Sequence, residues 1–247
     1  MKLRLLSYNI RFGGVGRGAM LASTIRAVEP DLVVLQEATR PDVVERLAED
    51  TGMTSWGATR AYSVGFMSRL EVAHHEWHRP PRSRRSFLEV LLAESGVRVF
   101  GVHLSAVHGN WMERRRTREL TETLASIAHH QHGFHVVMGD FNTLAPGEQL
   151  DLGRLPRRLQ LLVWLGGRSI RWQTIQIMLD AGYVDGFRTL HPNVDGPTFP
   201  TRDPHVRLDF VFLPKSTADR LRRCEVVDGP SAVSASDHFP LVAEVEV

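Results

Sequence analysis

Apolar residues fall in short runs along this chain, and polar residues close each run. Leu3–Tyr8, Asp31–Gln36, Val97–His103, His135–Gly139, Leu208–Leu213 and Leu241–Val247 have the length and β-branched content of buried strands, and Val64–Met67 is a shorter one. Helical spacing covers Gly18–Val28, closed by Pro30. Pro41–Asp50 is a second helix, with Thr39 placed to cap it and Pro41 in its first turn. Trp111–His130 is the longest helical stretch, ended by Gly133, and Gln160–Leu179 holds another, broken at Gly166-Gly167. Strands and helices mix without strict alternation. That predicts one mixed α/β domain over residues 1–247, two packed sheets with flanking helices, rather than a purely parallel sheet.

The polar residues at the ends of these runs carry the chemistry. The strands lead into Ser7-Tyr8-Asn9, Leu35-Gln36-Glu37, Val102-His103-Leu104 and Met138-Gly139-Asp140-Phe141-Asn142, with Arg207-Leu208-Asp209-Phe210 and Ser236-Asp237-His238-Phe239-Pro240 later in the chain. Strand ends that meet at one edge would gather these side chains into a cluster of carboxylates, amides and imidazoles. Glu37, Asp140, Asp209 and Asp237 supply hard anionic oxygens, and Asn9 and Asn142 neutral ones, a set suited to Mg²⁺, Mn²⁺ or Ca²⁺. Such a cluster repels itself without a cation, and a bound metal would polarise a phosphoryl oxygen and help activate water. His103 and His238 are the proton-handling groups in reach. Taken singly, each residue has an ordinary role: Asn9 a turn, Glu37 a helix cap, Asp140-Phe141-Asn142 a strand exit, His103 a core histidine. Asp209, flanked by Leu208 and Phe210, is the one that needs a partner even alone.

Composition narrows the setting. With one cysteine, Cys224, the chain forms no internal disulfide, which points to a reducing, cytoplasmic compartment. No run approaches the ~18 apolar residues of a spanning helix, and the N-terminus lacks the apolar core of a signal peptide. The formal net charge is +2, so the placement of basic residues says more than their sum.

In this order the six motifs resemble those of the endonuclease/exonuclease/phosphatase superfamily, the DNase I-like metal-dependent phosphoesterases, from the first strand to the last. The resemblance implies a four-layered α/β sandwich with two central mixed β-sheets flanked by helices. It implies an Mg²⁺- or Mn²⁺-dependent phosphoric ester hydrolase working by in-line attack of water. Asn9 and Glu37 would bind the metal, with Asp237 completing its surroundings. Asp140 would orient or deprotonate the water and Asn142 would hold the phosphate. His238 would contact the scissile phosphate, with Asp209 fixing its tautomer. His103 matches the DNase I form of its motif and would donate a proton to the leaving group. Gly65-Phe66-Met67-Ser68-Arg69 and Arg84-Arg85-Ser86-Phe87-Leu88-Glu89-Val90 resemble two further strand segments of that family. Secreted DNase I-like nucleases often carry disulfides, which this chain cannot.

Fold resemblance leaves the substrate open. Basic residues cluster at Arg79–Arg85, at Arg114–Arg118 and between Arg154 and Arg171. Beside the metal they would grip a nucleic-acid backbone; away from it they are a solvated face. Arg84, Arg85, Trp111 and Trp164 are the candidate substrate contacts, the tryptophans by stacking. The segment Leu155–Leu179 mixes arginine with Leu162, Trp164 and Ile175. It reads as a lid, a core helix or an interfacial helix in peripheral membrane contact. The readings carried forward are a nuclease or nucleotide phosphodiesterase, a phospholipid, sphingolipid or inositol-phosphate phosphoesterase, an inactive binding protein of the same fold, and a metal-free interaction domain. The complete acid and imidazole set disfavours the last two. Nothing in the sequence bears on oligomeric state.

Overall fold

The computed structural model describes residues 1–106, 110–130, 133–154, 157, 160, 161 and 172–247. Two six-stranded sheets form its centre. From edge to edge the first runs β11 (Leu221–Val226), β12 (Leu241–Glu246), β1 (Lys2–Asn9), β2 (Leu32–Gln36), β4 (Val64–Ser68) and β3 (Ser55–Gly57). The second runs β5 (Val72–His78), β6 (Phe87–Leu92), β7 (Arg98–His103), β8 (His135–Asp140), β10 (Asp209–Pro214) and β9 (Tyr183–Asp185). Both are mixed: β1–β2 and β7–β8 are parallel, and the other pairs are antiparallel.

The alternation of side chains along each strand builds four layers. Leu3, Leu5, Leu32 and Val34 point inward against Val90, Val99, Val136, Met138 and Val211, forming the core between the sheets. Leu6, Tyr8, Val33 and Leu35 point outward onto Leu21 and Ile25 of α1 (Gly18–Val28) and Val44 and Leu47 of α2 (Pro41–Thr51). On the far side, Phe100, Val102, Val137 and Phe210 meet Leu120 and Leu124 of α3 (Asn110–Ser126) and Ile175 and Met178 of α4 (Thr174–Asp180). Central strands are therefore apolar on both faces, which is why they read as unbroken runs. Short helices α5 (Gly186–Leu190) and α6 (Pro230–Ala235) complete the set. No helix among the described residues is long and apolar enough to cross a membrane.

The strands expected from sequence are present within a residue or two of the predicted bounds, and the Arg84–Val90 segment leads into β6. Five strands are not predicted by the apolar pattern: β6, reached only through the family resemblance of its lead-in, and β3, β5, β9 and β11, which are the four outer edges of the two sheets. Edge strands bury one side at most and carry polar residues, as His74, His75 and Glu76 do in β5 and Arg222 and Arg223 do in β11. Thr39 does not cap α2. The capping position is Arg40, with no side-chain cap bond, while the Thr39 N–H donates to the Glu37 carbonyl. The third helix ends at Ser126, and a 3₁₀ turn, Ala128–His130, continues it.

Candidate active site

Strand register sets the floor of the site. His103, the last residue of β7, lies opposite Asp140, the last of β8, and Asp140 lies opposite Asp209, the first of β10. Three chemically active side chains thus stand in one row across three adjacent strands. Gly139 leads into this row at φ +148, where an added Cβ would lie 2.0 Å from the Val102 carbonyl oxygen, so only glycine lets β8 press so closely on β7. The Asp140 carboxylate is buried. Its Oδ1 accepts the Asn142 N–H at 2.8 Å, and its Oδ2 accepts the Asn9 side-chain amide at 3.0 Å. The second bond joins the sheets, because Asn9 ends β1.

Asn9 also reaches Glu37, its Nδ2 lying 3.5 Å from Oε1, while its Oδ1 accepts the Arg11 N–H at 3.0 Å. The other Glu37 oxygen accepts the Phe12 N–H. Asp237 joins the same group through Arg11, whose Nε is 3.2 Å from Asp237 Oδ2. Ser236 Oγ donates to the Asn9 carbonyl at 2.6 Å, tying the Ser236-Asp237-His238 turn to the end of β1. Among the described residues, four of the five non-glycine residues with positive φ are here: Arg11, Phe12, Glu37 and Asn142. Each such backbone costs about 1–3 kcal/mol and is held only by its surroundings.

His238 completes the row. Its Nδ1 and Asp209 Oδ2 are 2.9 Å apart, and its Nε2 faces Asp140 Oδ2 at 3.9 Å. Burial works against a charge on His238, but Asp209 and Asp140 outweigh it and raise the imidazole to about 9. His103 is the opposite case. Burial, with the nearby charges of Arg85 and His238, lowers it to about 3, and its Nε2 stands 3.8 Å from Asp140 Oδ2. One imidazole is therefore charged and the other neutral, on two sides of one carboxylate. Burial drives the Asp140 carboxyl well above the carboxylate range, against the pull of His238.

The donor chemistry suits a hard divalent cation. Four carboxylates converge, and Asp209 Oδ1 is buried with no hydrogen-bond partner among the described residues. Asp140, Asp209 and His238 each offer a ligand atom within 4.8 Å of the others and could hold an ion. The tightest convergence is thus on residues expected to be catalytic, while Glu37 and Asp237 stand nearer the mouth. Two facts favour Glu37 as the anchor over the buried trio: Asp209 Oδ2 and His238 Nδ1 already satisfy each other, and Glu37 Oε1 has only the long Asn9 contact.

The candidate substrate residues fall in three places. Arg85, whose charge acts on His103, reaches Ser63 Oγ at 3.5 Å. Arg84 and Trp111 line a groove on the outside of α3. Trp164, like most of residues 155–171, lies outside the described residues. Arg11 and Phe12, which follow the first motif, belong to the site without having been expected there, and Ser236, within the last motif, gains a role that the sequence alone does not assign. Thr198 is a further addition. Its Oγ1 accepts the Leu208 and Asp209 N–H groups and so holds the start of β10. Nothing around Thr198 in the sequence marks that role.

A profile of the Endonuclease/Exonuclease/phosphatase family matches residues 6–238. No curated protein matches the chain significantly by sequence. Among solved structures, an AP endonuclease from Archaeoglobus fulgidus superposes with a TM-score of 0.77 at 18% identity, over 99% of this chain and 100% of that one. The 3′ phosphatase NExo from Neisseria, bound to a product DNA hairpin, gives 0.72 at 20% identity over 99% and 100%. TDP2 from D. rerio, complexed with a single strand DNA product, gives 0.70 at 19% identity over 100% and 99%. At these identities the likeness is one of fold.

Proposed function

The chain belongs to the endonuclease/exonuclease/phosphatase family, whose members are hydrolases acting on phosphoester bonds, and from that premise we propose that residues 1–247 are one catalytic domain hydrolysing phosphodiester bonds, as a nuclease or nucleotide phosphodiesterase. One observation carries the reading: Asp209, His238, Asp140, Asn9 and Glu37 form an unbroken line of contacts across both sheets. A line of alternating carboxylates and donors has no structural purpose that apolar residues would not serve better. The names of the structural neighbours, an AP endonuclease, a 3′ phosphatase on DNA and TDP2 with single-stranded DNA, support a nucleic-acid substrate.

Glu37, with Asn9 and Asp237 beside it, would hold an Mg²⁺ or Mn²⁺, which supplies positive charge for the phosphoryl oxygens. Asp140 takes the proton of the attacking water, and its raised affinity for protons suits a base working near neutral pH. Water oxygen bonds to phosphorus as the ester bond opposite it breaks, and solvent protonates the departing alkoxide. His238, kept charged by Asp209, meets the negative charge that grows on the phosphoryl oxygens. Asn142 is turned by its left-handed backbone beside the same carboxylate. His103, lowered in proton affinity by burial and 3.8 Å from Asp140, would act on the leaving-group oxygen as a hydrogen-bond donor. The lone, buried Cys224 fits a cytoplasmic setting.

Hydrolysis of bis-p-nitrophenyl phosphate tests this directly. Activity should need Mg²⁺ or Mn²⁺, stop with chelator, and be lost in Asp140→Ala and His238→Ala. Hydrolysis that ignores the chelator and both substitutions would remove the mechanism.

A further inference from the structure

The outer face of α3 carries a stripe that the hydrolytic site does not use. Trp111, Arg114, Arg115 and Arg118 recur at i, i+3, i+4 and i+7, so they share one side of the helix over roughly 10 Å. Across from them stand Arg82 and Arg84, from the loop between β5 and β6, and together they enclose an open groove of about 340 Å³. Five arginines line it against one acid, Glu119. That acid is already engaged, bonding Arg115 Nε at 3.1 Å, Ser105 Oγ at 2.7 Å and the Ser105 N–H at 3.0 Å. Arg82, Arg84, Arg114 and Arg118 make no ion pair or side-chain hydrogen bond with any described residue. Trp111 is 72% exposed, an uncommon cost for the largest apolar side chain unless something covers it.

Chain neighbours link the groove to the site. Ser105, held by Glu119, is two residues past His103, and Arg85, next to Arg84, is the residue whose charge acts on His103. We propose that this groove is a binding track for a single-stranded segment of nucleic acid, which lays successive phosphates along the arginine stripe and stacks a base on Trp111. The assignment rests on the phosphodiesterase reading and extends it from one scissile phosphate to a polynucleotide. Charge and shape select this occupant. Unpaired cations spread along one line match a chain of phosphates. A lone aromatic among them offers a stacking surface that any base fits. A membrane-docking face would need a band of apolar residues, and Trp111 is the only apolar one among the described residues that line the groove.

Binding of a fluorescein-labelled oligothymidylate, followed by anisotropy in chelator across a salt series, separates this inference from catalysis. Arg114→Ala with Arg118→Ala should weaken binding about tenfold and flatten the slope of log K against log salt by about 1.4, two phosphate contacts at about 0.7 each. Trp111→Ala should weaken binding about fivefold and leave the slope unchanged. Unchanged affinity in these variants overturns the groove, as does tighter binding to a duplex of equal length or to phosphatidylserine vesicles. Metal-dependent hydrolysis of bis-p-nitrophenyl phosphate by the parent protein is measured alongside. Its absence would overturn the phosphodiesterase reading and leave the groove result standing, whereas hydrolysis without the groove effects overturns the groove alone.

Discussion

The catalytic floor and the arginine groove are neighbours that handle charge in opposite ways. On the floor, Asp140, Asp209, His103 and His238 are buried; strand register places the first three, and the turn before β12 brings in His238. In the groove, Arg82, Arg84, Arg114 and Arg118 stand in solvent with no partner among the described residues. Burial makes each floor charge sensitive to every neighbour, because the low dielectric magnifies both pairing and the lack of it. Exposure makes each groove charge nearly independent and easily screened. Charges like those of the floor act strongly on one small region, and charges like those of the groove act weakly and additively along a line.

Substitutions sharpen that contrast in graded steps. Asp140→Asn should cost about 10³-fold or more in kcat/KM, because it removes the base and leaves the fold intact; circular dichroism and steady-state kinetics check both parts. Glu113, on the buried side of α3, supports the helix that carries the groove. Its carboxylate accepts from Arg116, Thr143, the Gln173 N–H and both donors of Thr174. Arg116 and these hydrogen bonds hold it ionised against the cost of burial. Glu113→Gln should destabilise by about 3–5 kcal/mol by leaving the charge of Arg116 buried without its carboxylate, read as a lowered denaturation midpoint. Asp209→Asn should lower kcat about 10²-fold and move the alkaline limb of the pH profile downward, since Asp209 is the chief support of the His238 charge.

The pH profile of the parent protein follows by sign. With Asp140 as the proposed base, its raised affinity for protons in the fold makes activity fall as pH drops into a range above ordinary carboxylates. With His238 as the proposed cation, raised to about 9, activity should fall as pH climbs through that value. A flat profile on the alkaline side would separate His238 from the chemistry. The smallest expected effect is Arg118→Ala alone: a few-fold loss in oligonucleotide kcat/KM that vanishes at high salt, against the salt-insensitive loss in Asp140→Asn. A salt-insensitive Arg118→Ala would erase the distinction between the two regions.

Much of the floor was legible in the chain itself, for one physical reason. β1, β2, β7, β8 and β10 are covered on both faces, so each appears as an apolar run, and the first polar residue after it marks where the strand leaves the core. Asn9, Glu37, His103 and Asp140 announce themselves that way, whereas Asp237-His238 stand just before the last strand. The four edge strands did not, because water on one side lets β5 carry His74 and Glu76 and β11 carry Arg222 and Arg223.

By itself the sequence determined the two-sheet α/β architecture, the central strands, α1 to its last residue, and the identity of the side chains that meet at the strand ends. These depend on local pattern, which burial imposes directly on neighbouring residues. Tertiary structure alone decided which imidazole is charged, that Arg11 pairs with Asp237, and that Arg82 and Arg84 face Arg114 and Arg118 across a common groove. Those outcomes depend on groups far apart in the chain coming within a few ångströms at low dielectric, and no run of adjacent residues encodes that distance.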